Sequence, residues 1–202
     1  MGTRTRPLTK EQTDRFIAVL NSAPESELPY AAAAAIALGT GARIGEVLSM
    51  RVKDLFAPDG TPLERVTRDI EKRRTAVRLT VPFPWERMGA AVIRWHQKKI
   101  IKGQEQIFIG RDRKTCYYHQ QRLLRRAGLA ATGTGFHGLR KTCLLRFYKA
   151  FASKYGEHNP SVWRKVQRLA GHTRIDNTLI YLDADRDGAS DHEIRAAWQN
   201  DE

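Results

Sequence analysis

The chain has 202 residues, of which 35 are Lys or Arg and 22 are Asp or Glu, giving a formal charge of +13. Hydrophobic residues make up 41%, which excludes a disordered chain, and the length suits one good core rather than several. No apolar run reaches the roughly 18 residues of a membrane-spanning helix, and the charge points instead to a polyanion, because releasing condensed counterions from phosphates favours binding to a basic domain.

The start, MGTRTRPLTKEQ, has no apolar segment and does not read as a secretory signal, so a cytoplasmic protein with Cys116 and Cys143 as reduced thiols is expected. The stretch LTKEQTDRFIAVL, residues 8–20, predicts a helix. Thr9 is its N-cap, Gln12 sits at the capping-box position, and Phe16, Ile17 and Leu20 form the buried stripe. Residues 21–29 read as a loop. YAAAAAIAL, residues 30–38, predicts an alanine-rich helix that permits close packing and is interrupted by Gly39 and Gly41. Residues 43–50 predict a further helix with Ile44, Val47 and Leu48 inward.

Residues 66–70 and 77–81 alternate apolar and polar side chains around the turn EKRRT and predict a β-hairpin, with Pro82 and Pro84 ending the second strand. Amphipathic helices are expected over 88–101 and over the arginine-rich 117–127, the latter closed by Gly128. The strongest helical period runs over 136–151, through Phe136, Leu139, Cys143, Leu144, Phe147, Tyr148 and Phe151. A helix opened by Pro160, capped by Asn159 and stopped by Gly171 follows, then a short apolar segment at 177–182 and a last helix at about 192–199. The fold class is mainly α with a small antiparallel β-sheet (α+β), in one domain over 1–202. There is no amphipathic helix with a basic face opposite Trp or Phe, so a membrane partner is not expected.

Several short stretches could carry chemistry. In HGLRKT, His137 and Arg140 are three apart and share a face in the first turn of a helix, where backbone N–H groups and a cationic fork together suit a phosphate. In TGARIGEVLSM, Arg43 follows a glycine turn and Glu46 lies one helical turn on, able to orient it; alone this reads as a surface arginine in an i,i+3 ion pair. LAGHTRIDNTLIYLD places His172 nine residues before Tyr181, and alone reads equally as a packed tyrosine. DADRDG, residues 183–188, begins like a calcium loop, but its twelfth position is Ile194 rather than Glu, so it reads as a solvated turn and no metal or cofactor is expected.

Taken in order, GARIGEVLSMRVKDL, the hairpin around EKRRT, FHGLRKT and LAGHTRIDNTLIYLD resemble the catalytic domain of the tyrosine recombinases, the phage-integrase family. The resemblance spans residues 8–185 and includes LTKEQTDRFIAVL as the first helix. It implies a site-specific DNA recombinase that cleaves and rejoins strands through a 3′-phosphotyrosine, in integration, excision or inversion. Tyr181 would be the nucleophile, Arg43 and Arg140 the clamp on the non-bridging oxygens, and His172 a further hydrogen bond to the same phosphate. His137 would act as base or donor beside the nucleophile, with Glu46 supporting. Lys72 would protonate the leaving 5′-oxygen; its neighbours Arg73 and Arg74 hardly deprotonate and suit DNA contacts better. Arg122, Arg125, Arg126, Lys141 and Arg164 are further candidate phosphate contacts.

The resemblance also implies double-stranded DNA as partner and a homo-oligomer, a tetramer on DNA, joined through a C-terminal helix whose apolar face would include Ile194 and Trp198. An accessory DNA-bending protein and a prokaryotic, phage or mobile-element origin fit the same picture. Only seven residues precede Leu8, so no N-terminal core-binding domain is expected and the likeness is to single-domain members such as the fimbrial-switch invertases. Two other readings use the same residues: a type IB topoisomerase, which relaxes DNA without exchanging partners, and a non-catalytic DNA-binding regulator.

Overall fold

The computed structural model describes residues 5–70, 77–98, 105–108, 110–130, 134–157, 159–175 and 177–179. Helix α1 (Lys10–Asn21) opens with the expected capping box: Thr9 Oγ1 accepts from the Gln12 N–H at 3.2 Å and the Gln12 side chain accepts from the Thr9 N–H at 2.9 Å. Helix α2 (Leu28–Thr40) is buried along its whole length. Its alanines are why: with no side chain beyond Cβ on most faces, neighbours approach all round, and α1, α3, α5, α6 and α7 all pack on it. Gly41 ends α2 with φ of 68°, and α3 (Ile44–Leu48) starts three residues later.

Strands β1 (Arg65–Asp69) and β2 (Arg78–Pro82) form the antiparallel hairpin, paired Arg65 with Pro82 through Asp69 with Arg78. The helix expected over 88–101 starts earlier and in two pieces, α4 (Trp85–Met88) and α5 (Ala90–Lys98), parted at Gly89. Helix α6 (Arg113–Arg126) also starts before the predicted 117, because Asp112 caps it, accepting from the Thr115 N–H at 2.9 Å. Helix α7 (Phe136–Tyr155) runs one turn longer than its apolar period, and α8 (Pro160–Ala170) has the predicted bounds, with Asn159 accepting from the Ser161 N–H.

The main core gathers α1, α2, α5, α6 and the start of α7 around Phe16, Leu20, Ile36, Leu123 and Leu139; a smaller cluster of Leu144, Tyr148, Val162 and Val166 locks α8 to α7. The helix α7 is covered on its other side by the N-terminal segment, where the Leu8 N–H donates to Thr142 Oγ1 at 2.8 Å. Cys116 and Cys143 are free and buried. Among the described residues no helix is long and apolar enough to cross a membrane. The expected segments beyond 179, including the calcium-like DADRDG and the last helix with Ile194 and Trp198, lie outside the described residues.

Candidate active site

Two helices end at one place. Helix α8 closes in a Schellman turn: the Gly171 N–H donates to Arg168 O at 2.9 Å and the His172 N–H to Gln167 O at 3.1 Å. Gly171 has φ of 65°, and a Cβ there would lie 2.9 Å from Ile70 Cδ1, so both the turn and its close packing on the hairpin require glycine. Gln167 Nε2 also donates to His172 O and Thr173 O, at 3.3 and 3.2 Å, fixing the chain as it leaves the helix. The last carbonyls of α8 and α2 are left pointing outward, and this end of a helix carries partial negative charge.

Arginines meet those carbonyls. Arg140, 1% exposed on α7, donates from Nη1 to Gly41 O at 2.5 Å and from Nη2 to Ala170 O. The same Nη2 stands 3.0 Å from His172 Nε2. Arg43, at the N-cap of α3, donates from Nη1 to Glu46 Oε1 at 2.8 Å, while its backbone N–H donates to Glu46 Oε2 at 3.0 Å. Glu46 is buried and shared: Arg68 of β1, fully buried, also donates to Glu46 Oε2 and sends Nη2 to Leu169 O at 2.7 Å. One carboxylate thus binds two guanidiniums, and the hairpin, α3 and the end of α8 are tied together. His137 lies in the first turn of α7, exposed, three residues before Arg140.

Electrostatics joins these groups. Burial holds the His172 imidazole down to about 4, with Arg140 and Arg43 adding repulsion. Burial likewise lowers His137, followed by Arg140, Lys141 and Arg43. Both rings are therefore neutral at neutral pH, His137 with a lone pair able to take a proton. An unfolded imidazole titrates near 6.5, so as pH falls below about 6.5 the unfolded chain binds protons that folded His172 refuses until about pH 4. Stability is expected to fall over that window, by on the order of 3 kcal/mol from His172. Urea unfolding at pH 7 and pH 4.5 measures it, and His172→Gln should flatten the slope.

Of the residues singled out in the sequence, the fold brings Arg43, Glu46, His137, Arg140 and His172 together. Lys72, Arg73, Arg74 and Tyr181 lie outside the described residues. Lys141 requires correction as a phosphate contact: it is 6% exposed and its Nζ donates to Thr5 O at 2.8 Å, because the N-terminal segment covers that face of α7. Arg122 and Arg126 pair with Glu27, at 3.4 and 2.5 Å, and keep about half and two-fifths of their side chains exposed (50% and 40%). Arg125 and Arg164 are exposed. The sequence reading missed Arg68 and Thr178. The signal for Arg68 was a cation on the inward face between Val66 and Ile70; for Thr178 there was none beyond its place before an apolar run.

This helical fold with one small hairpin is that of the tyrosine recombinase catalytic domains. It is similar to the XerA recombinase (TM-score 0.65, 17% identity, covering 94% of this chain and 64% of that one). The XerH site-specific recombinase in a pre-cleavage complex with its difH substrate gives 0.64, 19%, 93% and 53%. A lambda integrase dimer bound to a COC′ core site gives 0.59, 18%, 91% and 49%. The chain thus spans less than two thirds of each. Residues 6–187 match the sequence model of the phage integrase family, and the chain belongs to that family. A search of curated proteins gave no match.

Proposed function

We propose that this chain is the catalytic domain of a site-specific DNA recombinase that cleaves and rejoins strands through a 3′-phosphotyrosine on Tyr181. The observation that carries this reading is the convergence of Arg140, Arg43 and two neutral histidines where α2 and α8 end. Attack on a phosphodiester loads negative charge on the non-bridging oxygens, and guanidiniums fixed by backbone carbonyls and Glu46 meet that charge with little reorganisation. His137 takes the phenolic proton as Tyr181 Oη bonds to phosphorus, the 5′-oxygen leaves with a proton from Lys72, and reversal rejoins the strand without an external energy source. To donate to the phosphate, His172 Nε2, which accepts from Arg140 here, takes up a proton from solvent, a gain that the negative charge of the bound phosphate favours.

Double-stranded DNA is the partner. Arg122, Arg125 and Arg164 are its phosphate contacts, with Arg73 and Arg74 from the hairpin turn, and the exposed Tyr117 and Tyr118 stand on the same helix as Arg122 and Arg125. The protein works in the prokaryotic cytoplasm as a homo-oligomer on DNA, with an accessory DNA-bending protein where the site requires one. Its C-terminal segment, with Ile194 and Trp198, docks on a neighbour; an apolar groove of about 390 Å³ lined by Pro160, Trp163, Ile175 and Leu179 supports this.

A nicked suicide duplex, whose cut end diffuses away, tests the reaction. The wild type is expected to become covalently attached to DNA and Tyr181→Phe to bind without attachment. Duplex binding with no attachment by either protein overturns the enzyme reading in favour of a regulator. Attachment with relaxation of supercoils, but no strand exchange between two sites, favours a topoisomerase.

A further inference from the structure

His172 is gripped on both ring nitrogens. Nε2 faces Arg140 Nη2 at 3.0 Å and Nδ1 faces Thr178 Oγ1 at 3.0 Å. A guanidinium donates and cannot accept, so Nε2 holds a lone pair and the proton of the neutral ring sits on Nδ1, donating to the Thr178 hydroxyl. Thr178 is 0% exposed, and its N–H donates to Ile175 O at 2.7 Å, which sets the backbone that carries the hydroxyl. Around the ring stand Arg140 and His137 of α7, Glu46 of α3 and Arg43 at the N-cap of that helix.

We propose that Thr178 is a positioning residue for strand cleavage: its buried hydroxyl accepts the Nδ1–H that Arg140 imposes on His172 and holds the ring with Nε2 turned to Arg140 and the scissile phosphate. This rests on the recombinase reading for the step it serves. The Nδ1–H bond to Thr178 persists in both the neutral ring and the imidazolium, so Nε2 is the one position whose protonation changes. Without the hydroxyl, Nδ1–H loses the acceptor at 3.0 Å that orients the ring, while the other tautomer sets an N–H against a group that only donates.

Thr178→Val keeps the shape and removes the acceptor; Thr178→Ser restores it. Single-turnover attachment to the suicide duplex at saturating DNA should slow by about 10- to 100-fold in Thr178→Val and recover in Thr178→Ser, with duplex affinity unchanged. Ring nitrogen NMR of folded protein should show a hydrogen-bonded, exchange-protected His172 Nδ1–H in wild type and Thr178→Ser, and loss of that protection in Thr178→Val. Wild-type attachment rates in Thr178→Val, or an equally protected Nδ1–H there, overturn the proposal. A wild type that never attaches to DNA overturns the recombinase reading instead, and the NMR comparison still decides whether Thr178 holds the ring.

Discussion

Arg140→Lys is expected to slow covalent attachment to DNA by about 100-fold or more while duplex affinity changes only a few-fold. The substitution keeps the charge and removes the fork. Arg140 spans Gly41 O, Ala170 O and His172 Nε2 from two nitrogens of one rigid plane. An ammonium is a single point with three donors and cannot reach both helix ends while still facing the site. Single-turnover attachment and fluorescence anisotropy on the same duplex separate the two effects. Equal rates for Lys and Arg would show that charge alone suffices at this position.

Arg68→Met is expected to cost about 3 kcal/mol or more of folding stability, the penalty for breaking a buried ion pair from one side. Arg68 and Glu46 are both fully shielded from solvent, and burial lowers the Arg68 guanidinium while the Glu46 carboxylate opposes that shift. Met fills much of the volume but leaves Leu169 O without its donor and takes one of two donors from Glu46 Oε2, which keeps the Arg43 N–H. Glu46 keeps Arg43, so the loss falls at the lower end of that range. For a chain of this size the thermal midpoint should fall by about 6–12 °C. The exposed pair Arg87 and Asp14 is the contrast: its side chains are 46% and 47% exposed, and Asp14→Asn should change stability by less than about 1 kcal/mol. Adding Glu46→Gln to Arg68→Met removes a buried carboxylate that has lost one of its two guanidiniums and should return part of the stability, while leaving Arg43 without its carboxylate.

Local chemistry made much of this fold legible. Thr9 with Gln12, and Asn159 with Pro160 and Gly171, are signals written within a few residues of the ends they set, and α1 and α8 lie where those signals put them. The alanine run showed its close packing because small side chains have no other use in a helix so apolar. The boundaries that differ trace to single residues: Asp112 starts α6 a turn early, and Gly89 parts α4 from α5. Lys141 misled because periodicity assumes one wet face, whereas α7 is covered from Gly138 to Leu144 by α2 on one side and the N-terminal segment on the other. Arg43, Glu46, His137, Arg140 and His172 are named from the resemblance that their motifs carry when taken in order, not from spacing alone. What spacing could not supply is how they are held. The Glu46 bridge between two arginines, the carbonyls at the ends of α2 and α8, and the Thr178 hydroxyl are contacts between elements far apart in the chain.

Tyr181 as the nucleophile is tested most directly by finding where DNA ends up. The wild type is trapped on a suicide duplex, digested with protease, and the nucleotide-bearing peptide is sequenced by mass spectrometry. The expected peptide contains Tyr181 joined through its phenolic oxygen to a 3′-phosphate, and the free DNA end is a 5′-hydroxyl. A nucleotide on any other residue, or a tyrosine joined to a 5′-phosphate, would contradict the mechanism.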